Sequence, residues 1–238
     1  MRRLNWIVVV FGGLLLAGCA SSAPDAANDP FESANRAVYN LDEPFDKYVV
    51  LNLAGLYIRN VPRPLRRGVQ NVLDNFSAPA TFANDVLQGE LGRAGVAAGR
   101  FALNSTVGLG GLFDIAAKNG LRQHMSDFGQ TLSVYGVGEG PFLVLPIIGP
   151  EPPRDLVGDT VDLFLNPLAW LPPDAPLAQH IAVSAGLKIT DHYMDHARDI
   201  FLRRELEKGS LDSYATMRST YRQRRNNEIA GGKPTVDQ

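Results

Sequence analysis

Cys19 constrains this chain more than any other residue, because of what precedes it and because the 238-residue sequence holds no second cysteine. Met1-Arg2-Arg3 gives a positive start, Trp6 to Leu16 (WIVVVFGGLLL) a short apolar run, and Ala17-Gly18 the small residues a peptidase needs. The pattern predicts an export signal, cut before Cys19, so residues 1–18 take no part in the fold. The apolar run is too short to cross a bilayer comfortably. A chain sent to an oxidising compartment also gains from carrying no stray thiol.

An ordinary secretory signal stops at an A-x-A-like site, whereas this one stops at Leu16-Ala17-Gly18-Cys19. That ending resembles the bacterial lipobox, in which the thiol receives a diacylglyceryl group and cleavage frees an amino terminus for a further acyl chain. Two or more chains anchor a protein stably where one binds only marginally. Ala20, rather than Asp, follows the cysteine, which favours outer-membrane sorting. Residues Ala20 to Asn28 (ASSAPDAAN) are small and polar and predict a flexible tether. Nine such residues reach at most about 30 Å, so the folded part stays beside the membrane.

Removing Arg2 and Arg3 takes the 23 basic residues down by two against 25 acidic ones, a formal charge of −4. Nucleic-acid binding needs a basic field and is excluded as a class. Nothing after Cys19 reaches about 18 consecutive apolar residues, so no helix is expected to span a membrane alone.

Most later segments read as helix. Asp29-Pro30-Phe31-Glu32 has a capping residue, a proline preset for the first turn and a glutamate placed to reach back. Leu65, Val69, Val72, Leu73 and Phe76 share one face, with Arg66, Arg67, Gln70 and Asp74 opposite. Pro79 to Gln88 predicts a separate short helix ended by Gly89. Leu91 to Leu103 carries Gly95 and Gly99 four apart, a small face suited to close packing. From Asn104 to Gly158 glycine and proline recur, so helices there should be short and broken. Phe142 to Ile148 is apolar but interrupted by Pro146, as a short strand or an inserted loop would be. Helical spacing returns from Asp155 to Leu165 and from Pro176 to Leu206. A last helix from near Ser210 sets Tyr214, Met217 and Tyr221 on one side and runs into Arg222, Arg224 and Arg225, which predict a solvated helix end. The expected organisation is a signal at 1–18, a lipidated tether at 19–28, one mostly α domain at 29–230 and a disordered tail at 231–238.

A search for catalytic constellations fails. There is no G-x-x-x-x-G-K-[ST] and no G-x-S-x-G. Gly136, Gly138 and Gly140 lack the spacing of a dinucleotide turn. His192, His196 and Asp199 lie at i, i+4 and i+7, which can hold a metal, but Tyr193 stands where a zincin has Glu. Ile189, Tyr193, Ala197 and Ile200 define the apolar face beside them, which leaves the histidines on the wet side. The residues therefore call for no catalytic group, metal or cofactor. Amphipathic helices fixed at a bilayer, with a broken apolar centre, fit either a membrane-embedded ring around a polar path or an ordinary α domain on a lipid tether.

Ordered motifs separate these. Asp29-Pro30-Phe31-Glu32-Ser33-Ala34-Asn35-Arg36, then Tyr39, Asp46 and Tyr48, are followed by Asn84-Asp85-Val86-Leu87-Gln88-Gly89. Arg100-Phe101-Ala102-Leu103-Asn104-Ser105-Thr106-Val107-Gly108 leads to Gly110-Gly111-Leu112-Phe113-Asp114. Asp127-Phe128-Gly129-Gln130-Thr131-Leu132, Tyr135-Gly136-Val137-Gly138-Glu139-Gly140-Pro141, Leu145-Pro146, Gly149-Pro150 and Arg154-Asp155 complete the series. From Asp29 to Trp170 the chain resembles the MlaA (VacJ) family of outer-membrane phospholipid-transport lipoproteins. Leu41, Asp42, Ser133 and Glu151-Pro152-Pro153 depart from the usual pattern.

The resemblance implies a helical ring in the inner leaflet of the outer membrane, around a central amphipathic channel through which mislocalised phospholipid leaves the outer leaflet. It implies work alongside a trimeric porin, a soluble periplasmic lipid carrier and an inner-membrane ABC transporter. Asn104, Ser105, Gln130 and Thr131, polar groups within the Gly-rich centre, are the candidates to line that channel; each is equally suited to capping a helix or bracing a loop. Cys19 is the expected lipidation site. The alternative is a structural envelope lipoprotein that braces a porin and moves no lipid.

Overall fold

The computed structural model describes residues 28–166 and 209–231. Cys19 and its signal, nearly all of the tether, the segment Pro176 to Leu206 with His192, His196 and Asp199, and the tail beyond Gly231 lie outside the described residues. The described chain is mostly α, as the periodicity predicts.

Helix α1 (Glu32–Phe45) passes through a π-helical turn (Asp46–Val50) into α2 (Leu51–Asn60). Pro44 lies inside α1 and gives no N–H to the ladder, and the widened turn follows it directly. The helix stops at Val61, which adopts extended backbone before Pro62. Helix α3 (Arg63–Leu87) is a single element of 25 residues running through Pro79, where the sequence predicts two. Gly89, at φ +76, then turns the chain, and α4 (Leu91–Thr106) returns antiparallel against α3. Its buried face carries Ala94, Ala97, Arg100 and Asn104; a Cβ on Gly95 would meet nothing, while one on Gly99 would stand 3.2 Å from Leu121 Cδ1, so half of the expected glycine pair lies at a close contact.

Beyond α4 the chain turns through three successive left-handed residues, Leu109, Gly110 and Gly111. At Gly111 an added Cβ would stand 2.6 Å from the Asn75 Cβ, so glycine is required there by both backbone and space. Short helices α5 (Ile115–Lys118) and α6 (Phe128–Val134) follow, capped by Asp114 and Asp127. Val144–Leu145 (β1) pairs antiparallel with Gly149–Pro150 (β2), which resolves the Pro146 segment as a hairpin. Helices α7 (Pro153–Leu165) and α8 (Ser213–Ile229) complete the described fold.

An apolar cluster joins the two ends of the chain. Tyr214, Met217 and Tyr221 of α8 pack on Phe142 and Val144, with Val38 and Tyr39 of α1 alongside. The rings meet edge to face: Phe142 lies 6.5 Å from Tyr214 and 6.0 Å from Tyr221, and Tyr39 5.9 Å from Tyr214, the geometry aromatic quadrupoles favour.

Asp29 does not cap α1, whose first turn has no side-chain cap. Its carboxylate accepts from Asn35 Nδ2 at 2.8 Å, from the Tyr214 hydroxyl and from Arg218 Nη1 at 2.7 Å. Glu32 likewise turns to Arg36 and Arg218. The residues read as a cap hold the C-terminal helix instead.

Elsewhere polarity is inverted. On α3, Asn84 and Asp85 are fully buried while Phe82 and Val86 are 42% and 43% exposed. Leu65 and Val69, from the apolar face of the sequence pattern, are exposed too, as are Leu53, Leu91, Phe101 and Phe113 on neighbouring elements. Globular proteins rarely expose this much large apolar surface, and a contiguous patch marks contact with lipid or another protein.

Candidate functional site

The polar interior is organised around α3. One side of it opens into a small cleft that is partly open to solvent. Helix α3 supplies Asn71, Asp74 and Asn75; α4 supplies Arg100 and Asn104; Asp114, Gln123 and His124 close it from the intervening loops.

Asp114 is the joint of this wall. It accepts from Arg100 Nη2 at 3.0 Å, from Asn104 Nδ2 at 3.1 Å and from the Ala117 N–H at 3.0 Å. Burial works against its charge, but the Ala117 N–H and the Arg100 guanidinium outweigh it and hold the carboxyl below its ordinary range. Asp74 has weaker company. Burial pushes its carboxyl up, opposed by hydrogen bonds from Gln123 and Gln70.

Behind the cleft lies a buried seam. Asp85 accepts from His124 Nε2 at 2.7 Å and Ser126 Oγ at 2.5 Å, with Arg93 Nε at 3.6 Å. Asn84 donates to Asp162 at 2.7 Å and accepts from Thr131 Oγ1 at 2.9 Å. Burial with few compensating donors lifts the Asp162 carboxyl to about 7. The folded chain thus holds a proton there that the unfolded chain, at 3.8, releases. Stability from this group is full below pH 3.8 and falls as pH rises towards 7, with a slope of at most about 1.4 kcal/mol per pH unit. Denaturant unfolding between pH 5 and 7 should show that decline, and Asp162→Asn should flatten it.

The residues expected to line a channel separate into two places. Asn104 stands in the cleft wall, bracing Asp114 and the Ala116 N–H. Ser105 accepts from Asn75 Nδ2 at 2.9 Å, beside the same cleft. Thr131 belongs to the Asn84 seam and also receives Gln88 Nε2 at 2.9 Å. Gln130 is buried on α6, its N–H bound to Asp127. Sequence reasoning missed Asp74, Asn75, His124 and Asp162. For Asp74, Asn75 and Asp162 the one signal was polarity recurring inside helical stretches; His124, in the loop before α6, gave none. Among the described residues, no group of three or more His, Cys, Asp or Glu is placed to hold a metal, and no helix is long and apolar enough to cross a membrane.

The family model described as MlaA lipoprotein matches residues 27–228. The chain belongs to the MlaA lipoprotein family. An intermembrane phospholipid transport system lipoprotein MlaA from Escherichia coli (strain K12) is 34% identical over 237 residues, covering 97% of this chain and 91% of that protein. The Haemophilus influenzae protein of the same name is 30% identical over 240 residues, 98% and 93% of the two chains. A solved structure described as the structural basis for maintenance of bacterial outer membrane lipid asymmetry superposes with a TM-score of 0.72 at 30% identity. It covers 84% of this chain and 98% of the other.

In this MlaA chain the basic C-terminal run is a solvated end only at Arg224, which is exposed and pairs with Glu228 along the helix; its other arginines reach distant partners. Arg225 is buried, with Nη1 on Asp127 at 2.6 Å and Nη2 on Asp155 at 2.8 Å. Arg218 holds Asp29, and Arg222 holds Glu139 at 2.8 Å. At the start of α8, Asp212 caps the helix and takes both Nη atoms of Arg36, a fork that keeps its carboxyl down at about 2. These partners lie about 70 to 190 residues away in sequence, beyond any local pattern.

Proposed function

We propose that this chain sits in the periplasmic leaflet of the outer membrane, acylated at Cys19 after cleavage of residues 1–18. The helical domain of residues 29–230 surrounds a channel through which mislocalised phospholipid leaves the outer leaflet. A soluble periplasmic carrier receives the lipid, with a trimeric porin beside the channel and an inner-membrane ABC transporter in the same system. The relatives named for intermembrane phospholipid transport support the process.

The inverted polarity of the α3–α4 region carries the reading. A phospholipid flips slowly because its charged headgroup must enter hydrocarbon, at a cost of at least several kcal/mol. Side chains such as Asp74, Arg100 and His124, enclosed by an apolar exterior, offer the headgroup a polar route while the acyl chains remain in lipid. Such a route lowers a barrier without forming or breaking a covalent bond, so net movement follows the existing gradient or is drawn by an energised partner.

Deleting the protein from its own cell should raise phospholipid on the cell surface, measured by labelling or by an outer-leaflet lipid acylation reporter. Surface phospholipid at the wild-type level would reject the transport reading and leave the porin-bracing one. The lipid-facing role of the exterior has its own test. Phe82→Asp should leave the fold near wild-type stability yet weaken partition of the unacylated domain into vesicles by about two orders of magnitude; unchanged partition would place that face away from lipid.

A further inference from the structure

Several N–H donors of the cleft wall are already committed within it. Arg100 is committed to the Leu121 carbonyl at 2.6 Å and to Asp114. Asn104 Nδ2 serves Asp114, Asn71 Nδ2 reaches the Leu112 carbonyl at 3.3 Å, and His124 Nε2 is held by Asp85. What remains looks for a donor. Asn75 is 6% exposed, its amide oriented by Nδ2 donating to Ser105, and no group donates to its buried Oδ1. Pro79 compounds this, since it has no N–H to give the Asn75 main-chain carbonyl four residues earlier. A buried acceptor without a partner costs about 1–3 kcal/mol. Next to it stands the Asp74 carboxylate, hydrogen-bonded by two neutral amides, attracted by Arg100 from a distance and disfavoured by burial.

We propose that the Asp74 carboxylate and the Asn75 side-chain oxygen form a site for a primary ammonium group, carried by an ethanolamine phospholipid headgroup or by a small soluble amine. An ammonium brings three N–H donors and no acceptor, matching what the wall lacks. It also adds a positive charge beside Asp74, whose nearby cation, Arg100, is hydrogen-bonded to Asp114 instead. A glycerol headgroup brings hydroxyls but no cation, so its lipid keeps a net negative charge that Asp74 repels, whereas the ethanolamine ammonium balances the phosphate that both lipids carry. A choline headgroup has no N–H to donate. For the lipid form of the ligand, the proposal rests on the phospholipid path argued above.

The test uses the full acylated chain in nanodiscs of equal phosphatidylethanolamine and phosphatidylglycerol, re-extracted in mild detergent, with retained lipid quantified by mass spectrometry. The expected enrichment of phosphatidylethanolamine is about tenfold, the worth of one charge-assisted hydrogen bond. Asp74→Asn should remove it and Asp74→Glu should keep most of it, which separates loss of charge from loss of fold. In a second arm, ethanolamine at millimolar concentration is added to the lipid-free protein in micelles. A rise in melting temperature for the wild type but not for Asp74→Asn assigns the site to soluble amines, even where lipid shows no preference. Equal lipid ratios in wild type and variant, together with no effect of ethanolamine, overturn the ammonium site. A wild-type protein that retains no phospholipid of either kind would instead count against the transport reading.

Discussion

Arg225→Ala should lower folding stability by about 3–5 kcal/mol, the cost of removing one partner from a buried charge pair. The reason lies in what the guanidinium leaves behind. Asp155 is buried, and burial alone would push its carboxyl up, but Arg225 and then Arg154 hold it below the ordinary carboxylate range. Asp127 faces the same guanidinium at 2.6 and 2.7 Å while its other task is to cap α6. Without Arg225, two carboxylates on adjoining helices lose their shared cation. Against a typical stability of 5–15 kcal/mol, roughly a third of the total would go. Chemical denaturation monitored by circular dichroism measures the loss. Combining the change with Asp127→Asn should recover a substantial part of it, because Asp127 is the carboxylate left without a cation while Asp155 keeps Arg154. If the double variant is no better than Arg225→Ala, packing rather than charge holds α8 in place.

Gly158→Ala should be nearly as severe. The backbones of α6 and α7 touch at this point: a Cβ on Gly158 would collide with the Gly129 N–H and stand 2.7 Å from its Cα. Main chain cannot turn aside as a flexible side chain can, so the helices would have to separate, at the upper end of the 1–3 kcal/mol typical of overpacking or beyond it. Separation would also disturb the bond from the Phe128 N–H to Asp162 at 2.7 Å. A Cβ on Gly129 would meet Arg225 Nη2 at 2.5 Å and Asp155 Oδ1 at 2.6 Å, so Gly129→Ala strikes the ion pair from the other side. Both variants should melt well below the wild type; a change of only a degree or two at Gly158 would mean that the helices have slack.

What could be read from the sequence depended on the range of the interaction. Tyr214, Met217 and Tyr221 recur at helical spacing, and they do form the buried side of α8. The helix stop at Gly89 follows from local backbone chemistry and is present, whereas the Pro146 segment read as either a strand or a loop until the structure showed it paired as a hairpin. Pro79 misled, because a proline normally interrupts a helix, yet here α3 continues past it while packed along α4. Periodicity identifies two faces of a helix but not which of them meets protein, so it could not reveal that Asn84 and Asp85 point inward while Phe82 and Val86 face out. Asp29 and Arg225 were misread for a different reason. Each satisfied a local rule, as a cap and as a helix-end cation, while its actual partner lay far along the chain.

The tie between Asp29 and α8 bears on how such a polypeptide is made. A chain threaded outward from its amino end delivers Asp29 and Phe142 before Tyr214, Arg218 and Arg225. Until α8 arrives the aromatic cluster lacks Tyr214 and Tyr221, and Asp127 and Asp155 lack the cation they share. Cooperative closure therefore waits for α8.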